Sequence, residues 1–150
     1  MRKAVKIDAP RLAIVLGRCW RTVSQVAEES VRDAGMCLTD FVALEALLHK
    51  GPLTITEIQD KVQLASGSMT AAVDRLEKKG FIRRTPSRND RRAKLLGLTP
   101  KGRLTVKAVF DHHAAVLEET MKVLSNAEKS QLHGLLKKLG IFAAASKHSE

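Results

Sequence analysis

The chain has 150 residues, 44% hydrophobic and 28% charged, an ordinary globular composition that excludes collagen-like, low-complexity and membrane-spanning classes. Its formal net charge is +10, concentrated in residues 66–103, where eleven Lys/Arg face three acids. A localised basic block points to a polyanionic partner, and four Phe, one Trp and no Tyr offer little for single-stranded bases to stack on, so duplex DNA is the better candidate.

In chain order, the first apolar run, Leu12–Leu16, is too short to cross a bilayer and short for a signal-peptide core, so the chain reads as cytoplasmic. Leu12, Val15, Leu16, Cys19, Val23 and Val26 fall at helical spacing over 10–33. Pro10 suits the first turn, Asp8 the cap before it, and Gly35 the stop. A second helix opens at Leu38 or Thr39, aligns Phe41, Leu44, Leu47 and Leu48, and ends at Gly51-Pro52. Leu53-Thr54-Ile55 is expected as a very short strand. Thr56 is then expected to cap a small helix from Glu57 to Val62, with Ile58 and Val62 inward.

After Gln63-Leu64-Ala65, a serine N-cap heads an amphipathic helix carrying Met69, Ala72, Val73 and Leu76, closed by Lys78-Lys79-Gly80. Strands are expected over 81–85 and 93–98, paired as a hairpin across the connection 86–92. Thr99-Pro100 restarts a helix through Val106, Val109, Phe110, Leu117, Met121 and Leu124 to about Ser125. Ser125-Asn126-Ala127-Glu128 is a capping box opening a last helix with Leu132, Leu135, Leu136 and Leu139.

This order implies a mainly α fold with a small β-hairpin (α+β) in one domain, 1–150. A helix-turn-helix followed by a hairpin occupies 37–103, and helices over 1–36 and 104–150 flank it. The outer helices carry more apolar surface than this small core needs, which suggests a helical dimer interface.

A helix that enters the major groove needs small, hydrogen-bonding residues at its start, so that its backbone can approach the DNA. Ser66, Gly67, Ser68 and Thr70 meet that need, with Arg75 and Arg84 adding charge nearby. The same residues fit a plain capped core helix. In the connection 86–92, Arg88, Arg91 and Arg92 are candidates for the minor groove, whose negative potential attracts arginine. Asp90 repels phosphate, and its expected use is to orient an arginine. A solvated charged turn is the other reading of this run.

These residues carry a resemblance to the MarR family of winged helix-turn-helix transcriptional regulators. The family's wing pattern matches Asp90-Arg91-Arg92, Leu98-Thr99 and Gly102. Its helix-end and strand-start pattern matches Arg75 to Ile82, and its recognition-helix start matches Ser66 to Thr70. The resemblance implies an obligate homodimer with first and last helices intertwined, bound to a near-palindromic operator as a repressor, with half-sites about 10 bp apart. It places Arg92 in the minor groove with Asp90 orienting it, and Arg88, Arg91 and Lys94 mainly on phosphate.

Family resemblance also implies DNA release on binding a small, often phenolic or anionic ligand between the dimer helices and the DNA-binding lobe. Trp20, Phe41, His112 and His113 are the candidates, and ordinary core or dimer packing explains each of them too. A cysteine-based redox sensor is an alternative, through Cys37 or Cys19; Cys19 lies on the apolar stripe and is expected buried and inert. The peroxide-sensing pattern pairs an N-terminal cysteine with tyrosines, which this chain lacks. A sequence-neutral architectural DNA binder is a further alternative. No phosphate loop, serine elbow or carboxylate pair supports an enzyme, and no Cys/His spacing supports a metal or other cofactor.

Overall fold

The computed structural model describes residues 7–62, 66–87 and 93–146, with the side chains of residues 62 and 66–68 left aside. Six helices and two strands follow in order: α1 (Ala9–Asp33), α2 (Leu38–Lys50), α3 (Ile55–Val62), α4 (Ser66–Lys78), β1 (Ile82–Pro86), β2 (Lys94–Leu98), α5 (Pro100–Thr120) and α6 (Asn126–Ser146). Contacts divide the chain into two compact units, Met1–Leu117 and Glu118–Glu150.

Helix α1 starts where its local chemistry directs. The Asp8 carboxylate accepts the Arg11 N–H at 3.0 Å, and Pro10 occupies the first turn, where a missing N–H costs nothing. Gly35 (φ +79°) and Gly51 (φ +80°) take the left-handed turns that release α1 and α2.

Helix α3 begins earlier than the sequence suggests. Thr54, not Thr56, is its cap: the Thr54 hydroxyl accepts from Glu57 N–H at 3.2 Å, and the Glu57 carboxylate accepts from Thr54 N–H at 2.7 Å. Both threonines have a box partner three residues on, Glu57 for Thr54 and Gln59 for Thr56, and the box that forms is Thr54 with Glu57. The expected strand over 53–55 is therefore reduced to one bridge, Leu53 with Leu96, through N···O contacts of 3.1 and 2.7 Å.

β1 and β2 pair antiparallel in the register Ile82–Leu98, Arg83–Gly97, Arg84–Leu96, Thr85–Leu95 and Pro86–Lys94. Period-2 alternation puts Ile82 and Leu96 on the core side and Arg83 with Gly97 on the outer side. The core gathers Val31, Phe41, Leu44, Leu47, Ile58, Met69, Val73, Leu76, Ile82, Leu96, Val106 and Val109. Each large side chain buried this way contributes about 1.5–3 kcal/mol over exposure. That holds α4 by its inner stripe, with Thr70, Ala71, Asp74, Arg75 and Lys78 exposed on the other side.

Helix α5 stops at Thr120 rather than near Ser125, because the chain tightens there: Lys122 N–H bonds Glu119 O and Leu124 N–H bonds Met121 O. The Ser125–Glu128 capping box then starts α6, with Ser125 N–H donating to Glu128 at 2.8 Å. Within that second unit Lys129 also pairs with Glu118 at 2.6 Å. No helix among the described residues is long and apolar enough to cross a membrane.

Candidate nucleic-acid interface

Helix α4 turns Met69, Ala72, Val73 and Leu76 into the core and leaves Thr70, Ala71, Asp74, Arg75 and Lys78 exposed. Its outer face is thus small and polar at the start and charged toward the end, as the spacing of the apolar residues requires. The side chains of Ser66 and Ser68 lie outside the described residues, as do Arg88, Asp90, Arg91 and Arg92 in full. Lys94 is exposed at the start of β2, paired in register with Pro86.

Arg75 has a partner that spacing along the chain does not reveal. Its Nη2 donates to Asp40 Oδ1 at 2.6 Å, and Lys79 Nζ lies 3.6 Å from Asp40 Oδ2. Asp40 is 1% exposed, so its charge is tolerable only because both oxygens face cations from α4 and its C-terminal turn. The hydrogen bond from Arg75 to Asp40 raises the guanidinium pKa above its ordinary value. Arg75, expected among the DNA contacts, is therefore engaged in joining α2 to α4. Nη2 also lies 3.8 Å from Cys37 Sγ, which is exposed just before α2.

Arg84 is likewise shared with α4. Its Nη2 is 2.5 Å from Asp74 Oδ1 and its Nη1 3.4 Å from Glu77 Oε2, tying β1 to the outer face of the helix. The hairpin's other end is fixed to α5. Thr99 N–H donates to Phe81 O at 3.0 Å, the Thr99 hydroxyl lies 2.7 Å from Gly80 O, and Gly102 N–H donates back to that hydroxyl at 3.0 Å. Gly102 is required: a Cβ there would sit 1.9 Å from Phe81 O. Lys101 closes the joint, donating to Lys79 O at 3.0 Å with its Nζ 5.1 Å from the Phe81 ring centroid.

Of the four candidate ligand residues, the fold brings two together. Phe41 and His113 meet edge to face with centroids 5.1 Å apart. Ser30, which the sequence did not single out, completes the group: its Oγ is 2.7 Å from His113 Nδ1 and donates to Ala27 O at 2.8 Å. His112 is exposed beside them on α5, and Trp20 stands 70% exposed on α1. His49 packs on Phe110 instead, at 5.2 Å.

Cys19 corrects an expectation. It is exposed, not buried, although it lies on the apolar stripe of α1. Leu12, Ile14, Val15 and Trp20 are exposed with it. On α6, Leu132, Leu135, Leu136, Leu139, Ile141 and Phe142 are exposed as well. Among the described residues no group of three His, Cys, Asp or Glu side chains is placed to hold a metal.

A helix-turn-helix core with a hairpin strapped to its last helix has counterparts among known proteins. The MarR family model matches residues 37–94. The chain is 38% identical over 133 residues to the HTH-type transcriptional regulator MhqR of Bacillus subtilis, covering 89% of this chain and 92% of that one. It is 29% identical over 111 residues to the HTH-type transcriptional repressor MdtR of the same organism, covering 74% and 72%. Among solved structures it is similar to a mutant of MarR from E. coli complexed with operator DNA, with TM-score 0.73 and 27% identity over 89% of this chain and 99% of that one.

Proposed function

The chain belongs to the MarR family and is a winged helix-turn-helix transcriptional regulator that binds DNA; from that premise we propose that it is a homodimeric repressor released from its operator by a small anionic or phenolic ligand. The observation that carries this reading is the exposed outer face of α4, small at its start, beside a hairpin joined to α5. In this reading Ser66, Ser68 and Thr70 meet the major groove, Arg92 enters the minor groove with Asp90 orienting it, and Arg88, Arg91 and Lys94 meet phosphate. Arg84 positions the wing against α4.

Helices over 1–36 and 104–150 form the dimer in this reading. Support comes from the exposed apolar side chains of α1 and of α6, far more than scattered surface residues would supply. Repression is favoured by the likeness to MdtR, a protein named as a repressor. For the effector, Phe41, His113 and Ser30 supply an aromatic edge, an imidazole and a hydroxyl in one place. The test is competition between a duplex selected by the protein from a random pool and unselected duplex. A regulator of this kind holds the selected site about 10³–10⁷ times tighter. Equal affinities would instead identify a sequence-neutral architectural protein.

A further inference from the structure

Two features on the outer face of the hairpin are left unexplained by folding. The first is Gly97, in the middle of β2. Glycine weakens a strand, and a mid-strand glycine marks either a strained backbone or a close approach by something else. Gly97 has no left-handed φ, and a Cβ there would meet only Pro52 Cγ at 3.9 Å, an ordinary contact. Gly102, a few residues on, shows what a structurally required glycine looks like.

The second is a pair of arginines. Arg83 of β1 and Arg103 of the first turn of α5 line one groove of about 230 Å³ with Gly97, Thr85, Pro52 and Leu98. Neither makes an ion pair or a side-chain hydrogen bond with another described residue, although Arg75 and Arg84 nearby both do. Arg103 also sits where the α5 dipole disfavours a cation, in a first turn with no acid. Between residues 78 and 110 the only acid is Asp90. Two like charges held around one small groove raise the energy of the empty protein, and an oxyanion between them would lower it.

We infer that this groove takes one phosphate of the DNA backbone, shared by Arg83 and Arg103 over the open floor at Gly97. The inference rests on the reading of the hairpin as a wing in the minor groove. That groove is about 6 Å wide, so a hairpin inside it has a sugar-phosphate strand along each face. The inner face is occupied by α4 through Arg84, and the outer face carries Arg83, with Arg103 of α5 lining the same groove. Arginine forks suit phosphate oxygens, and such a contact positions the protein without reading sequence.

The experiment is a salt titration of binding to the selected duplex and to a random duplex, for wild type, Arg83→Gln, Arg103→Gln, the double variant and Gly97→Val. Sharing of one phosphate predicts that the double variant loses about 0.9 from the slope of log K against log salt. It also predicts that Gly97→Val, which keeps both charges but fills the floor, loses a similar amount. The preference for selected over random duplex should hold in all four, with thermal melting confirming that each is folded. A wild-type slope in Gly97→Val, or additive losses reaching about 1.8 in the double variant, would overturn the shared site. If inorganic phosphate raises the melting temperature of wild type but not of the double variant, and the slopes are unchanged, the groove serves a free anion and the DNA assignment fails. If wild type does not discriminate the duplexes at all, the regulator reading fails, while the slopes still report on the groove.

Discussion

Asp40 and Arg75 lie 35 positions apart in sequence and 2.6 Å apart in space, a buried carboxylate on α2 held by a half-exposed guanidinium on α4. The two partners are not equivalent. Removing Arg75 strands a buried charge whose remaining cation, Lys79, is 3.6 Å away. Removing the Asp40 charge leaves a guanidinium that water can reach. Arg75→Met should therefore cost about 3 kcal/mol of unfolding free energy and Asp40→Asn about 1 kcal/mol. Urea denaturation of both variants checks the order, and equal losses would show that the pair is not governed by burial.

Arg84 is neutralised by Asp74 and Glu77 at the surface. Exposed pairs contribute little to stability, about 0–1 kcal/mol. Asp74→Asn should leave the melting temperature almost unchanged. It should tighten binding to random duplex several-fold, because an acid is removed from the face proposed to meet DNA and a guanidinium is released. Gel shifts at low salt measure it, and weaker binding would mean that Arg84 must be held by Asp74 to serve the DNA.

Arg92→Ala should weaken binding to the selected duplex by about 1–3 kcal/mol, the loss of one groove contact. Asp90→Ala should weaken it too, although it removes a negative charge. Tighter binding by Asp90→Ala would make Asp90 a plain surface acid.

Gly102→Ala places a Cβ against the Phe81 carbonyl, backbone on backbone, where no side chain can yield. It should cost about 3 kcal/mol, at the high end for overpacking. Gly97→Ala, in open space by comparison, should be nearly silent in the same melting experiment.

Glu57 and Glu128 each have a pKa lowered first by a backbone N–H, from Thr54 and Ser125 respectively, and then by the hydroxyl of the same residue. A lowered folded-state value means the charged form is favoured by folding. Their contribution is thus full above the ordinary carboxylate value of 4.5 and lost as pH falls through the lowered one. Glu57→Gln should flatten the acid side of the stability profile, and an unaltered profile would remove Glu57 from it.

What was legible in the sequence was local. Asp8 with Pro10, and Ser125 with Glu128, mark helix starts by interactions within three residues, and both stand as read. Thr54 was misread because Thr56 also looks like a cap, with Gln59 three residues on just as Glu57 follows Thr54. The hairpin and the Thr99 restart were legible because two short strand-like runs and a cap-then-proline pair are local signals too. Asp40, Ser30 and Asp74 were missed because their meaning lies in partners 35, 83 and 10 residues away. Cys19 was misplaced for the opposite reason: helical periodicity shows which face is apolar but not what covers it.

The bonds that tie Thr99 to Phe81 and Gly102 to Thr99 join α5 and the hairpin at the strand roots, so that a lever of the two would pivot there. Five-residue strands give that lever an arm of about 16 Å. A turn of α5 by about 10° then sweeps the far end through about 3 Å, half the width of a minor groove. Helix α5 also carries His113, in contact with Phe41 and Ser30. His113 stands 11 residues, about 16 Å, along α5 from Gly102, so the two arms are of similar length, and under the proposed reading a ligand that displaced the ring would move the wing by a comparable distance.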